Sequence, residues 1–185
     1  EITAVGGLNG GASIEIRMTP DGARYRKLEI KSRDAGGVVA ATGYLNSVRG
    51  GRLVLLARVP EAPERTEPTV GRLSAENFML VGAPKMTSVL KHRSIAGARG
   101  AAKGAGKGES VSFKRFIAPF TIRGDRIEVL NARAAGPSVG LTISGTIDRR
   151  RETIDMSGNI VPAYALNTAP GRIPLVGGLL VGREG

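Results

Sequence analysis

With 185 residues the chain is long enough for one domain with a real core, and 41% apolar content argues against outright disorder. The lack of cysteine excludes disulfides and thiolate chemistry, and a single histidine, His92, cannot by itself assemble a zinc or iron site. A formal charge of +11 directs attention to anionic partners.

The hydrophobicity is carried by Ile, Val, Leu and Ala. Trp is absent, and only three Tyr and four Phe stand beside 27 Gly, a balance that favours many short twisted strands over a helical bundle. In ASIEIRM, residues Ile14, Ile16 and Met18 share a face with Glu15 and Arg17 opposite, the period of a half-buried strand. Pro20-Asp21-Gly22 is a turn signal, because Pro presets φ and Gly accepts positive φ. RYRKLEIKS follows with Leu28 and Ile30 on one face. Gly36-Gly37 separates it from VVAATGYL, and Gly50-Gly51 precedes RLVLLARV, where Leu53, Leu55, Ala57 and Val59 alternate. Strand, turn and strand at this spacing predict a meander.

Residues 60–70, PEAPERTEPTV, hold three prolines and three glutamates without an apolar period, and read as a loop or short linker. RLSAENFML resumes strand character. Pro84 suits a first helical turn, and Met86, Val89, Leu90 and Arg93 follow at three- and four-residue spacing, which predicts a short helix near 84–93. GARGAAKGAGKG is low in complexity. SVSFKRFIAPFTIRG and RIEVLNARA read as strands, then LTISGTID and TIDMSGNI joined by the polar turn Asp148-Arg-Arg-Arg-Glu-Thr153. The chain closes with an apolar tail broken by Pro and Gly, in which a second short helix is expected near 162–168.

Familiar catalytic and nucleotide signatures fail. A Walker loop around Gly106-Lys107 would need Gly where Ala101 stands and Ser or Thr where Gly108 stands, and Glu109 occupies the third glycine of a dinucleotide fingerprint. No Gly-x-Ser-x-Gly elbow occurs, and the carboxylates lie singly in turns and on outer strand faces. No catalytic, cofactor-binding or metal-binding residue is expected.

Two features remain. Alternation places Leu141, Ile143 and Ile147 on one face of a strand and Ile154, Met156 and Ile160 on one face of its neighbour, with Gly145 and Gly158 among them. Such a face is either core, covered by the 84–93 helix and the 161–181 tail, or an open surface that meets acyl chains. The second feature is a basic window. Between Lys85 and Arg115 eight Lys/Arg stand against one acid, Glu109, which gives +7 of the +11. Lys85, Lys91, Arg93, Lys103 and Lys107 are the candidates for contact with anionic headgroups or another polyanion; the bland reading is a solvated loop. Single-stranded nucleic acid is weighed and disfavoured, since Phe113, Phe116 and Phe120 follow no RNP-like pattern.

From Gly71 to Gly185 the chain resembles the AsmA-like C-terminal domain family of Gram-negative bacteria, close to its YhdP-type members. The likeness runs in order through LSAENFMLVGAPKMTSVL, SIAG, VSF, GPSVGLTISGTIDRRRETIDMSGNIVPAYALN and GRIPLVGGLLVG. Its most specific part is Val161-Pro162-Ala163-Tyr164-Ala165-Leu166-Asn167 followed by Ile173-Pro174-Leu175-Val176-Gly177. Residues 21–59 share a looser likeness. The stretch 101–108 is more polar than the family's pattern, and a further strand is expected after Gly185.

The resemblance implies a piece of a large periplasmic protein anchored in the inner membrane by a segment outside this chain. It further implies a long curved β-sheet enclosing an apolar groove, phospholipid as partner, and a role in moving phospholipid between membranes and maintaining the outer-membrane barrier. The expected fold is mainly β, a curved antiparallel sheet of meander, half-barrel or groove-like form. Residues 1–59 form its N-terminal portion, 60–70 a Pro/Glu-rich loop, and 71–185 the family-like segment, incomplete at its C-terminus. The alternatives are a module that lends a sheet edge to other envelope proteins during outer-membrane protein assembly, and a polyanion-binding module.

Overall fold

The computed structural model describes residues 1–8, 13–43, 45–62, 67–82 and 110–162. In chain order the elements are β1 (Ile2–Gly7), β2 (Ser13–Asp21), β3 (Tyr25–Ser32), α1 (Ala35–Ala41), β4 (Val48–Arg49), β5 (Arg52–Pro60), β6 (Thr69–Val81), β7 (Ser110–Arg123), β8 (Arg126–Ala135), β9 (Val139–Asp148) and β10 (Thr153–Pro162). All ten strands join one antiparallel sheet in the order β1-β2-β3-β5-β6-β7-β8-β9-β10, with β4 also on β6. Among the described residues the sheet does not close into a barrel: β1 and β10 end the order. The chain is therefore mainly β, an antiparallel meander with one short helix among the described residues. The helices expected near 84–93 and 162–168 fall outside the described residues, except Pro162, which ends β10.

The register carries one apolar face across the whole sheet. Cross-strand partners face the same side, so Ile2, Met18, Leu28, Ala57 and Gly71 form one row, and Ala4, Ile16, Ile30, Leu55, Leu73 and Ala118 form the next. The opposite face carries Arg17, Glu29 and Arg72 in one row and Glu15, Lys31 and Ser74 in another.

Strict alternation would break this segregation in the middle strands, and a crease restores it. Buried positions fall at Val48 and Leu53 along β4–β5, at Ala75 and Phe78 in β6, and at Phe113 in β7 with Phe116 packed on the same cluster. Each interval is odd, so each strand shifts phase by one residue. The shifts lie level with one another: Gly50 and Gly51 have φ of 63° and 85°, and Asn77 on the adjoining strand has φ of 52°. Pairing runs on in one register on both sides, with Arg49↔Met79 and Arg52↔Glu76, and with Phe78↔Phe113 and Glu76↔Arg115. A second irregularity lies in β8, which carries an extra residue between Val129 and Ala132 opposite both neighbours. It falls opposite Pro119, which has no N–H for a ladder, and the freed Asn131 N–H donates to Ser144 Oγ at 2.9 Å.

Helix α1 corrects the sequence reading, in which VVAATGYL belongs to the meander. β3 ends at Ser32, level with the crease. The chain then leaves the sheet, and the Ala35 and Gly36 N–H groups donate to the Gly51 and Gly50 carbonyls at 2.8 and 3.0 Å, taking acceptors that a continued strand would use. Asp34 caps the helix, its Oδ1 accepting from the Gly37 N–H at 3.0 Å. Gly36 allows this close approach, because a Cβ there would stand 2.8 Å from the Val48 carbonyl oxygen. Seven residues with two glycines and two valines are too weak a helix to form alone, so packing holds it. Ser32, the buried polar side chain at this corner, donates to the Ser13 carbonyl at 2.6 Å.

The core lies under α1. Ala35, Val48, Leu53, Ala75, Phe78, Val111, Phe113, Ala134 and Val139 form its buried cluster. Phe78 stacks on Phe113 with centroids 5.3 Å apart, and Phe116 meets Phe78 edge-on at 6.3 Å. The crease is testable at Asn77. Asn77→Gly should leave stability within about 0.5 kcal/mol, whereas Asn77→Val, forced into the left-handed region, should cost about 1–2 kcal/mol. Both are read from urea midpoints at unchanged m-value.

Candidate functional site: the apolar face and its charged rim

All six apolar residues expected to share a face do so. Ile154 pairs with Ile147, Met156 with Gly145, Gly158 with Ile143, and Ile160 with Leu141. Leu141 and Ile160 pack against the buried cluster at the α1 end of the face. Away from α1 the face opens: Met156 is 37% exposed and Ile154 57%. Met156 leans over Gly145, its Sδ 2.8 Å from where a Cβ on that glycine would sit. The same gradient runs through the middle strands. Leu53 and Phe113 are buried near α1, while the larger side chains further along, Leu55, Phe120, Ile122, Ile127 and Val129, are half-buried around the buried alanines Ala57 and Ala118.

The open end is ringed by charge. The β2–β3, β7–β8 and β9–β10 turns and the β5–β6 connection all lie there, opposite α1. Arg58 Nε donates to Asp21 Oδ2 at 2.7 Å, and its guanidinium lies 4.0 Å over the Tyr25 ring. Arg26 Nη2 meets Glu61 Oε1 at 2.6 Å, and Arg24 lies 3.8 Å from Glu67. Tyr25 ionises above its usual range, chiefly because its hydroxyl is hydrogen-bonded to Glu67, with desolvation and the Glu67 charge adding to the effect. On the β9–β10 side Arg149 sits 3.9 Å from Asp125 and donates to the Gly124 carbonyl at 2.8 Å, and Arg151 sits 4.0 Å from Asp148. These pairs are well exposed and contribute about 0–1 kcal/mol each.

Sequence reasoning placed the headgroup cations at Lys85, Lys91, Arg93, Lys103 and Lys107, all of which lie outside the described residues. The structure puts other cations at the open end, namely the turn residues Arg149, Arg150 and Arg151; Arg126 lies there too, but opposite Asp148 and so on the other face from Ile127 and Ile147. The signal was present in the sequence as three consecutive arginines directly after an alternating apolar strand. Among the described residues no cluster of three or more His, Cys, Asp or Glu could hold a metal ion. No helix among them is long and apolar enough to cross a membrane.

No family model, curated protein or solved structure matches the chain.

The exposure gradient gives a direct check. Ile154→Asp should change unfolding free energy by less than about 1 kcal/mol, whereas Val139→Asp, at a fully buried site, should lose more than about 3 kcal/mol or fail to fold. A cost at position 154 close to that at 139 would mean that the open end is covered.

Proposed function

We propose that this chain is a non-catalytic part of a periplasmic protein anchored in the inner membrane of a Gram-negative bacterium, and that its apolar sheet face holds phospholipid acyl chains. In this reading the protein serves phospholipid movement between membranes and maintenance of the outer-membrane barrier. The observation that carries it is the apolar face, continuous over nine strands in register, buried in its middle strands beside α1 and half-exposed towards the charged end. Each lipid methylene removed from water there contributes about 0.8 kcal/mol, so an acyl chain needs no specific polar partner along its length. Headgroups would lie at the charged end, within reach of the turn residues Arg149–Arg151. The likeness of Gly71–Gly185 to the AsmA-like family supports the same assignment.

A second reading has one observation behind it. Among the described residues β1 and β10 terminate the strand order, and every residue of β1 is exposed, which presents a sheet edge to a partner strand. The two readings differ in what they bind. Native mass spectrometry of protein purified without detergent should show bound phospholipid, and a fluorescent acyl probe should bind with an affinity lowered several-fold by Ile147→Asp with Ile154→Asp. Lipid-free protein that ignores the probe, yet captures unfolded barrel protein until Pro is placed in β1, would transfer the assignment to the edge.

A further inference from the structure

The face opposite the apolar one is mostly polar but carries apolar residues at Val5, Val54, Leu56, Val70 and Ile117. Leu56, Val70 and Pro119 line a shallow depression of about 440 Å³, with Lys27, Arg58 and Arg72 around it. Register brings them together from four strands: Lys27 lies directly opposite Arg58, Arg58 opposite Val70, Leu56 opposite Arg72, and Arg72 opposite Pro119. Two aspects are unusual for a solvated sheet face. Val70 is 50% exposed at its centre. Like charges directly opposite on neighbouring strands are also unfavourable; Arg58 is paired with Asp21 at 2.7 Å, and Lys27 has as its neighbour on the same face the Glu29 carboxylate, which is itself bonded to Lys31 at 3.0 Å. Lys27 and Arg72 form no salt bridge with another described residue.

We propose that this depression is a docking site for an acidic polypeptide segment that presents one apolar side chain between carboxylates. The apolar floor takes the side chain, and Lys27 and Arg72 meet the flanking carboxylates, which offsets the repulsion built into the Lys27–Arg58 pair. Shape decides between an acidic peptide and an anionic membrane. A bilayer surface engages groups that protrude, whereas a recess edged by cations accepts a protruding group from its partner. The site lies on the face away from the apolar one and does not depend on what that face holds.

The test uses the full 185-residue chain and a fluorescein-labelled peptide of sequence Glu-Glu-Leu-Glu-Glu, read by anisotropy at low salt. Saturable binding is expected. The double variant Lys27→Gln with Arg72→Gln should bind about tenfold more weakly, since each exposed charge pair accounts for roughly threefold to fivefold in affinity. A Glu-Glu-Gly-Glu-Glu peptide should also bind several-fold more weakly. Circular dichroism of the double variant should match that of the parent, because both side chains are on the solvated face. No saturable binding, equal affinity in the double variant, or equal affinity for the glycine peptide would overturn the proposal. So would phosphatidylglycerol vesicles that require Lys27 and Arg72 while the peptide does not.

Discussion

The crease through Gly50-Gly51, Asn77 and the Phe113–Phe116 interval is the constraint on which the rest of the sheet depends. Alternation is unforgiving: a single residue out of phase sends every later side chain to the other face. Here three neighbouring strands slip by one residue at the same level, so their pairing survives and their apolar side chains stay together. Left-handed backbone at Gly50, Gly51 and Asn77 makes this possible. β3 stops at that level, and α1 begins there by bonding to the carbonyls of the two glycines. The phenylalanine stack and the buried corner follow from the same slip.

This arrangement leaves the molecule asymmetric along its strands. A seven-residue helix covers part of one end of the apolar face, against β4 and β6. Towards the other end the same rows continue half-exposed into a rim where arginines and carboxylates pair across adjacent turns. A face that is dry at one end and open beside charge at the other suits an amphiphile that lies along the strands, tail towards α1 and head at the rim. The outer face reverses the chemistry, with charge in most rows and an apolar depression around Leu56. Binding on the two faces would therefore obey different rules, apolar area on one and salt-sensitive charge on the other.

Much of the fold could be read from the chain because its strands obey period two. β9 and β10 emerge at the expected residues, and their six apolar positions meet in register. β1 carried no such pattern, since ITAVGG is short and glycine-ended. The crease was visible only as Gly50-Gly51. Its other members look like ordinary strand, although apolar residues three apart, Ala75 with Phe78 and Phe113 with Phe116, mark the change of phase. α1 was missed because Gly36, Gly37, Val38 and Val39 are poor helix formers, and tertiary contact overrides that preference. The Asp34 cap was its one local signal. For the site, alternation gave membership of the face but could not give exposure, which depends on where α1 lands. The rim cations are hard to read from sequence because Arg149–Arg151 sit in a turn, where an arginine run is ordinarily a solvated loop, and only the strand register places them at the open end of the face.

The central claim is that the apolar face itself receives acyl chains, and a crosslinking map tests it most directly. A fatty acid carrying a photoreactive diazirine near its terminal methyl would be bound, irradiated and its adducts located by peptide mass spectrometry. Adducts should concentrate on Leu141, Ile143, Ile147, Ile154, Met156 and Ile160 and spare Thr142, Thr146, Asp155 and Ser157, their neighbours on the other face. Adducts shared evenly between the two sets, or confined to the polar set, would contradict the account.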